Sequence, residues 1–94
     1  MPTFERLRRF DRDFAALSDG QREAFGSAVK KFVADLDRGQ GFRKGLRVKG
    51  IRGASGVFEM TWAADGRATF SCGESRREGA THIVWHRVGT HDIL

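Results

Sequence analysis

The spacing of hydrophobic positions along this chain changes character near Gly41. Before it, Phe10, Phe14 and Leu17 recur three to four residues apart, as do Phe25, Ala28, Val29, Phe32, Val33 and Leu36. That spacing stacks side chains on one face of an α-helix. Gln21, Arg22, Lys30, Lys31, Asp35 and Arg38 fall elsewhere on the second helix. Ser18 followed by Gln21 is a capping box, in which hydroxyl and amide each satisfy an unpaired backbone donor, and Gly39 is placed to end the helix. A short strand over residues 3–7 precedes the first helix.

Past Gly41 the period is two. Leu46 and Val48 alternate with Arg47 and Lys49; Phe58, Met60 and Trp62 with Val57, Glu59 and Thr61; Ala68, Phe70 and Cys72 with Arg67, Thr69 and Ser71. Each segment is expected to be a strand with one apolar face, Cys72 packed among the others. Asp65-Gly66 predicts a two-residue hairpin turn, whose central positions both require positive φ. Residues 53–56 supply a further turn, 73–80 a polar loop and 81–87 the last strand. The expected architecture is α+β, in the order β-α-α-β-β-β-β. Two N-terminal helices pack on one face of a mostly antiparallel four- to five-stranded sheet, leaving the other face for function. Arg47, Lys49, Glu59, Thr61, Arg67 and Thr69 lie on that face by parity. Trp62 and Trp85 belong to the core first and serve as base-stacking platforms second.

The chain's 94 residues suit one compact domain, 1–94, because a chain of this size buries only ~60–65% of its unfolded surface. Charge then singles out a segment. Residues 1–40 carry eight basic and seven acidic side chains, whereas 41–94 carry nine and five. Arg43, Lys44, Arg47, Lys49 and Arg52 fall within ten residues that hold no acid. Such a field suits RNA, DNA or an acidic protein, or serves only as a solvated strand face. The single cysteine precludes an intrachain disulfide and points to a reducing compartment. Met1-Pro2-Thr3-Phe4 opens onto charged residues without the apolar core of a signal peptide, and no apolar run approaches the ~20 residues that span a membrane. A cytoplasmic protein with no membrane contact is expected.

Several chemistries have no matching motif. There is no phosphate-cradling glycine loop with its lysine, no dinucleotide fingerprint and no serine at a strand-to-helix elbow. His82 and His86, four apart on a strand and so ~13 Å from each other, are too distant to share one ion, and no metal or other cofactor is expected. The remaining set of Arg, Lys, His and Glu matches the needs of RNA cleavage by its own 2′-hydroxyl. A base takes the 2′-proton, cations stabilise the phosphorane and an acid protonates the leaving 5′-oxygen. Arginine suits the second role through its permanent charge and planar fork, histidine the third because it titrates near neutrality.

The run Arg9-Phe10-Asp11-Arg12-Asp13-Phe14-Ala15-Ala16-Leu17-Ser18, then Leu46-Arg47-Val48-Lys49, Val57-Phe58-Glu59-Met60 and Gly66-Arg67-Ala68-Thr69-Phe70, resembles the RelE/ParE superfamily of bacterial toxins over nearly the whole chain. The closing Arg87-Val88-Gly89-Thr90-His91 is similar to the Arg-x-Gly-x-His ending of the YafQ-type ribonuclease branch. The resemblance implies a toxin of a type II toxin–antitoxin system, a metal-independent endoribonuclease that cuts mRNA in the ribosome. A cognate acidic antitoxin would neutralise it, with a toxin–antitoxin hetero-oligomer possible. It further implies that Arg87 contacts the phosphate, that His91 is the general acid or base, and that Arg67 stabilises the transition state. Arg43, Lys44, Arg47, Lys49, Arg52 and His86 would bind RNA. Glu59 is either a base or a charge partner of Lys49 or Arg67 across the sheet. His82 and His86 are structural or touch RNA. Strict alternation places Arg87 with Ile83 and Trp85, so it reaches the side of Arg67 only if the strand ends or bulges near His86; otherwise His86 faces the site. Two other readings are a gyrase-inhibiting ParE-like toxin, against which the late histidine argues, and a non-catalytic RNA-binding module.

Overall fold

The computed structural model describes residues 2–94; Met1, the first residue of the Met1-Pro2-Thr3-Phe4 opening, lies outside the described residues. The chain runs β1 (Thr3–Arg6), α1 (Arg8–Ala16), α2 (Asp19–Arg38), a 3-10 turn (Lys44–Leu46), β2 (Lys49–Gly50), β3 (Val57–Thr61), β4 (Gly66–Gly73), β5 (His82–Thr90) and a closing 3-10 turn (His91–Ile93). The five strands form one sheet in the order β1-β5-β4-β3-β2. The first strand joins parallel to the last, and the other pairings are antiparallel. The expected α+β architecture and element order are therefore those observed.

The second helix starts and stops where its sequence dictates. Ser18 Oγ accepts the Gln21 N–H while Gln21 Oε1 accepts the Ser18 N–H, and Gly39 closes the helix at φ 69°. Phe25, Ala28 and Phe32 of α2 and Phe10 of α1 are buried against Met60, Ala68, Phe70, Ile83, Trp85 and Val88 of the sheet. Phe32 is fully enclosed, its ring centroid 5.1 Å from Phe70 and 5.3 Å from Trp85. Asp35 departs from the expected pattern: it follows Phe32 by three residues on the same stripe and is buried with it.

Three further local expectations are corrected. The strand anticipated around Leu46–Lys49 shrinks to two residues, because Leu46 turns inward in the 3-10 turn and Arg47 takes a left-handed conformation at φ 47° that breaks the alternation. The Asp65-Gly66 pair does not occupy a primed two-residue turn. The Gly66 N–H instead bonds back to the Ala63 carbonyl at 3.0 Å, and Gly66 does not adopt positive φ. It is required for space: a Cβ there would lie 2.5 Å from the Trp62 indole. Cys72 is exposed rather than packed, because pairing with β3 stops at Val57↔Ser71 and leaves that end of β4 paired on its β5 side alone.

Beyond the expected 81–87, β5 continues to Thr90, and between Trp85 and Arg87 its register slips. Phe70 pairs with Trp85 but Thr69 pairs with Arg87, so His86 is the extra residue of a bulge. The bulge that Arg87 required is present.

Gly66→Ala is expected to cost roughly 1–3 kcal/mol by forcing the Trp62 ring out of place. Denaturant unfolding followed by tryptophan fluorescence measures it, and an unchanged midpoint with an unchanged spectrum would contradict the steric account.

Candidate functional site

Cross-strand register assembles the outer sheet face from residues far apart in sequence. Lys49 pairs with Glu59, Glu59 with Thr69 and Thr69 with Arg87, giving one transverse row across four strands. The neighbouring row is Thr61, Arg67 and Gly89. Antiparallel partners project to the same face at a Cβ separation of ~5 Å, so each row is a contiguous strip of side chains. The expected parity holds for Lys49, Glu59, Thr61, Arg67 and Thr69.

Where the rows meet the chain preceding β2, Arg47, Val48, Lys49, Glu59, Thr61 and Arg67 surround a cleft of about 280 Å³. Lys49 Nζ stands 3.2 Å from Glu59 Oε1, so the carboxylate has a charge partner while remaining in the cleft wall. Glu59 is buried. The Arg67 guanidinium folds back onto backbone carbonyls, Nη1 lying 2.9 Å from the Gly66 oxygen and 3.4 Å from those of Ala63 and Ala64. Neither Arg67 nor Arg47 has a carboxylate partner among the described residues. Guanidinium groups held by neutral carbonyls or solvent keep their full charge available to an anion.

Two other candidate arginines are already committed. Arg87 Nε and Nη2 donate to Asp13 Oδ2 and Oδ1, both at 3.0 Å, and the Val88 N–H donates to Asp13 Oδ2 at 3.3 Å. The pair is two-thirds or more enclosed, at 29% and 16% side-chain exposure. Burial pushes the Asp13 carboxyl up, but the Arg87 hydrogen bonds and the Val88 N–H outweigh it and hold it below the usual carboxylate range; Asp13 in turn raises Arg87. Arg43 gives three hydrogen bonds of 2.8–2.9 Å to Asp35, from Nε, Nη2 and its backbone N–H. With Arg38 Nη2 also at 2.8 Å, these hold the buried Asp35 carboxyl far below its ordinary value.

The remaining candidates are dispersed. Lys44 is exposed on the 3-10 turn, and Arg52 is exposed in the turn before β3. His86 Nε2 is 2.7 Å from Ser71 Oγ, placing the bulge histidine on the outer face. His82 is buried between Thr3 Oγ1 at 2.7 Å and Glu5 Oε1 at 2.8 Å, fastening β1 to β5. His91 opens the terminal 3-10 turn and is exposed; that turn folds back so that Ile93 Cγ2 sits 2.9 Å from where a Cβ on Gly89 would be. Gly89 is the cross-strand partner of Arg67, so the turn carrying His91 adjoins the arginine's row, although His91 does not line the cleft. Asp13 and Asp35 escaped sequence reading. Each follows a core phenylalanine by three residues, Asp13 after Phe10 and Asp35 after Phe32, and that helical spacing was the available signal.

A depressed carboxyl contributes stability that is complete above its unfolded pKa, ~3.9, and is lost as the pH falls through its folded value. The melting temperature should therefore fall progressively as the pH drops below about 5 and keep falling below pH 3, where the unfolded chain binds protons that native Asp13 and Asp35 refuse. Asp35→Asn should lower the melting temperature at pH 7 and flatten that acid slope. Parallel pH profiles for the parent and the variant by circular dichroism would contradict it.

No protein-family model matches the sequence, and no curated protein matches it. Solved structures do match in shape. The Escherichia coli DinJ–YafQ toxin–antitoxin complex superposes at TM-score 0.70 with 14% identity, over 99% of this chain and 96% of that one. A copper-bound mutant toxin from Helicobacter pylori gives 0.70 at 14% identity, over 100% and 99%. The RelB–RelE antitoxin–toxin complex of Methanococcus jannaschii gives 0.60 at 13%, over 97% and 92%. With every strand and both helices included, this chain has the fold of the YafQ and RelE toxins.

Proposed function

We propose that this protein is the toxin of a type II toxin–antitoxin system and an endoribonuclease that cuts ribosome-bound mRNA, using the RNA's own 2′-hydroxyl as nucleophile. One observation carries the reading: on a YafQ/RelE fold, two arginines without acidic partners, Arg47 and Arg67, converge with Lys49 and Glu59 on one cleft.

In this mechanism Glu59, oriented by Lys49, takes the 2′-proton, and the 2′-oxygen attacks the adjacent phosphorus. Arg67 and Arg47 neutralise the charge that grows on the phosphorane oxygens. The P–O5′ bond breaks as His91 protonates the departing oxygen, leaving a 2′,3′-cyclic phosphate and a 5′-hydroxyl. Arg87 joins the phosphate by exchanging Asp13 for it, while Lys44, Arg52 and His86 bind flanking RNA and Arg43 supports that surface from its place on Asp35. The reaction belongs to the cytoplasm, where ribosomes and mRNA are found; among the described residues no helix is long and apolar enough to cross a membrane. Two of the structural relatives were solved with an antitoxin, and by shared fold a cognate acidic antitoxin covers the basic strand or the helical hairpin here. The engagement of Arg87 by Asp13 favours a second reading, an RNA-binding module that does not cleave.

Arg67→Ala is expected to lower cleavage of ribosome-programmed mRNA by about 10²–10³-fold, the usual loss when one transition-state donor is removed, with an unchanged melting curve. His91→Ala should do the same and relieve growth arrest on induction. Parental cleavage rates in both variants would sink the assignment, whereas retained RNA binding without cleavage in the parent would select the second reading.

A further inference from the structure

The cleft against the outer sheet face continues into another. On the helix side of the same two arginines a second hollow, of about 520 Å³, opens between α2, the Lys44–Leu46 turn and the 62–66 turn. Arg47, Thr61 and Arg67 line both, so the two hollows share one cationic wall. The second is built differently from the first. Its floor is apolar, made by Ala24, Ala28, Leu46 and Trp62, and its basic rim adds Lys31 while no acidic residue lines it. Arg43 also touches it, but its guanidinium is taken up by Asp35.

Two features mark this hollow as a binding site rather than a packing defect. Its volume falls in the ~300–1,000 Å³ range of small-molecule sites, with a mostly apolar surface and a few polar groups to orient a ligand. Its floor is also fixed rather than mobile: Trp62, Ala28 and Leu46, which line it, are each nine-tenths or more buried.

We propose that this hollow is a nucleobase subsite, which receives the base of a nucleotide whose phosphate is held at the shared wall by Arg47 and Arg67. The apolar floor, with the Trp62 indole in it, takes the planar ring, and Lys31 faces the sugar–phosphate. Base preference in this protein is therefore set on the helix side of the arginines, away from the outer sheet face. The inference rests on the ribonuclease reading only for its biological substrate; binding of a mononucleotide does not depend on cleavage.

The test compares the four ribonucleoside 5′-monophosphates with ribose 5-phosphate, which carries the same anion without a base. Binding is followed by calorimetry and by the Trp62 indole N–H resonance, assigned through its loss in Trp62→Phe. The preferred nucleotide is expected to bind about tenfold more tightly than ribose 5-phosphate and to shift that resonance, while ribose 5-phosphate leaves it in place. Ser27→Phe at the exposed rim and Ala24→Leu in the floor fill the hollow from two sides. Each should abolish the preference and leave ribose 5-phosphate binding intact; if one fails to fold, the other stands alone. Nucleotides that bind no tighter than ribose 5-phosphate, or a preference that survives the filling substitutions, overturn the subsite. A parent protein that shows the preference but cuts no RNA keeps the subsite and removes the ribonuclease reading.

Discussion

The bulge at His86, and the carboxylate that fastens it, determine which residues the sheet presents. Up to Trp85, β5 has β1 as a parallel neighbour, and the last bond of that ladder runs from the Leu7 N–H to the Trp85 carbonyl at 3.0 Å. There β1 departs into α1, and the strand edge beyond it needs another partner, since a buried N–H left unpaired costs ~1–3 kcal/mol. Asp13, on α1, supplies it by accepting the Val88 N–H while gripping Arg87 with both oxygens. A one-residue slip in a strand exchanges its two faces. With the slip, Val88 is buried opposite Ala68, and Arg87 emerges beside Thr69. Without it, a charged side chain would point into the aromatic core around Phe32 and a valine would replace it outside.

Most of the fold was legible because its elements are specified locally. Helical spacing, the Ser18/Gln21 box and Gly39 gave α2 both of its ends, and alternation gave β3 and β4 their faces. What was illegible depended on contacts distant in sequence or on steric fit. Alternation through Leu46–Lys49 is as regular as in β3, yet Leu46 is drawn into the core and Arg47 bends the chain away. Gly66 reads as a turn glycine from its neighbour Asp65, whereas its role comes from an indole four residues earlier.

The same distinction governs the candidate site. Composition places five cations in one acid-free stretch, but charge in a sequence does not say which side chains are already paired. Arg43 and Arg47 are indistinguishable on the page. In the fold, Arg43 meets Asp35, eight residues earlier, through three hydrogen bonds, and Arg47 meets no acid among the described residues. Arg67 and Arg87 divide likewise, the second engaged by an aspartate 74 residues away. The helices thus supply carboxylate partners to selected arginines of the sheet half and leave others without one, and the cluster of Arg47, Lys49, Glu59 and Arg67 is what remains.

Arg47 also holds a backbone conformation that a residue with a side chain adopts at a cost of ~1–2 kcal/mol. Glycine would relieve that cost, and the position is exposed, so packing does not demand anything larger. Stability and anion affinity consequently favour different residues at a single backbone position. A variant library ranked by thermal resistance would drift there towards glycine and lose the cation shared by both hollows, while on the proposed function a library ranked by RNA affinity would retain the strained arginine.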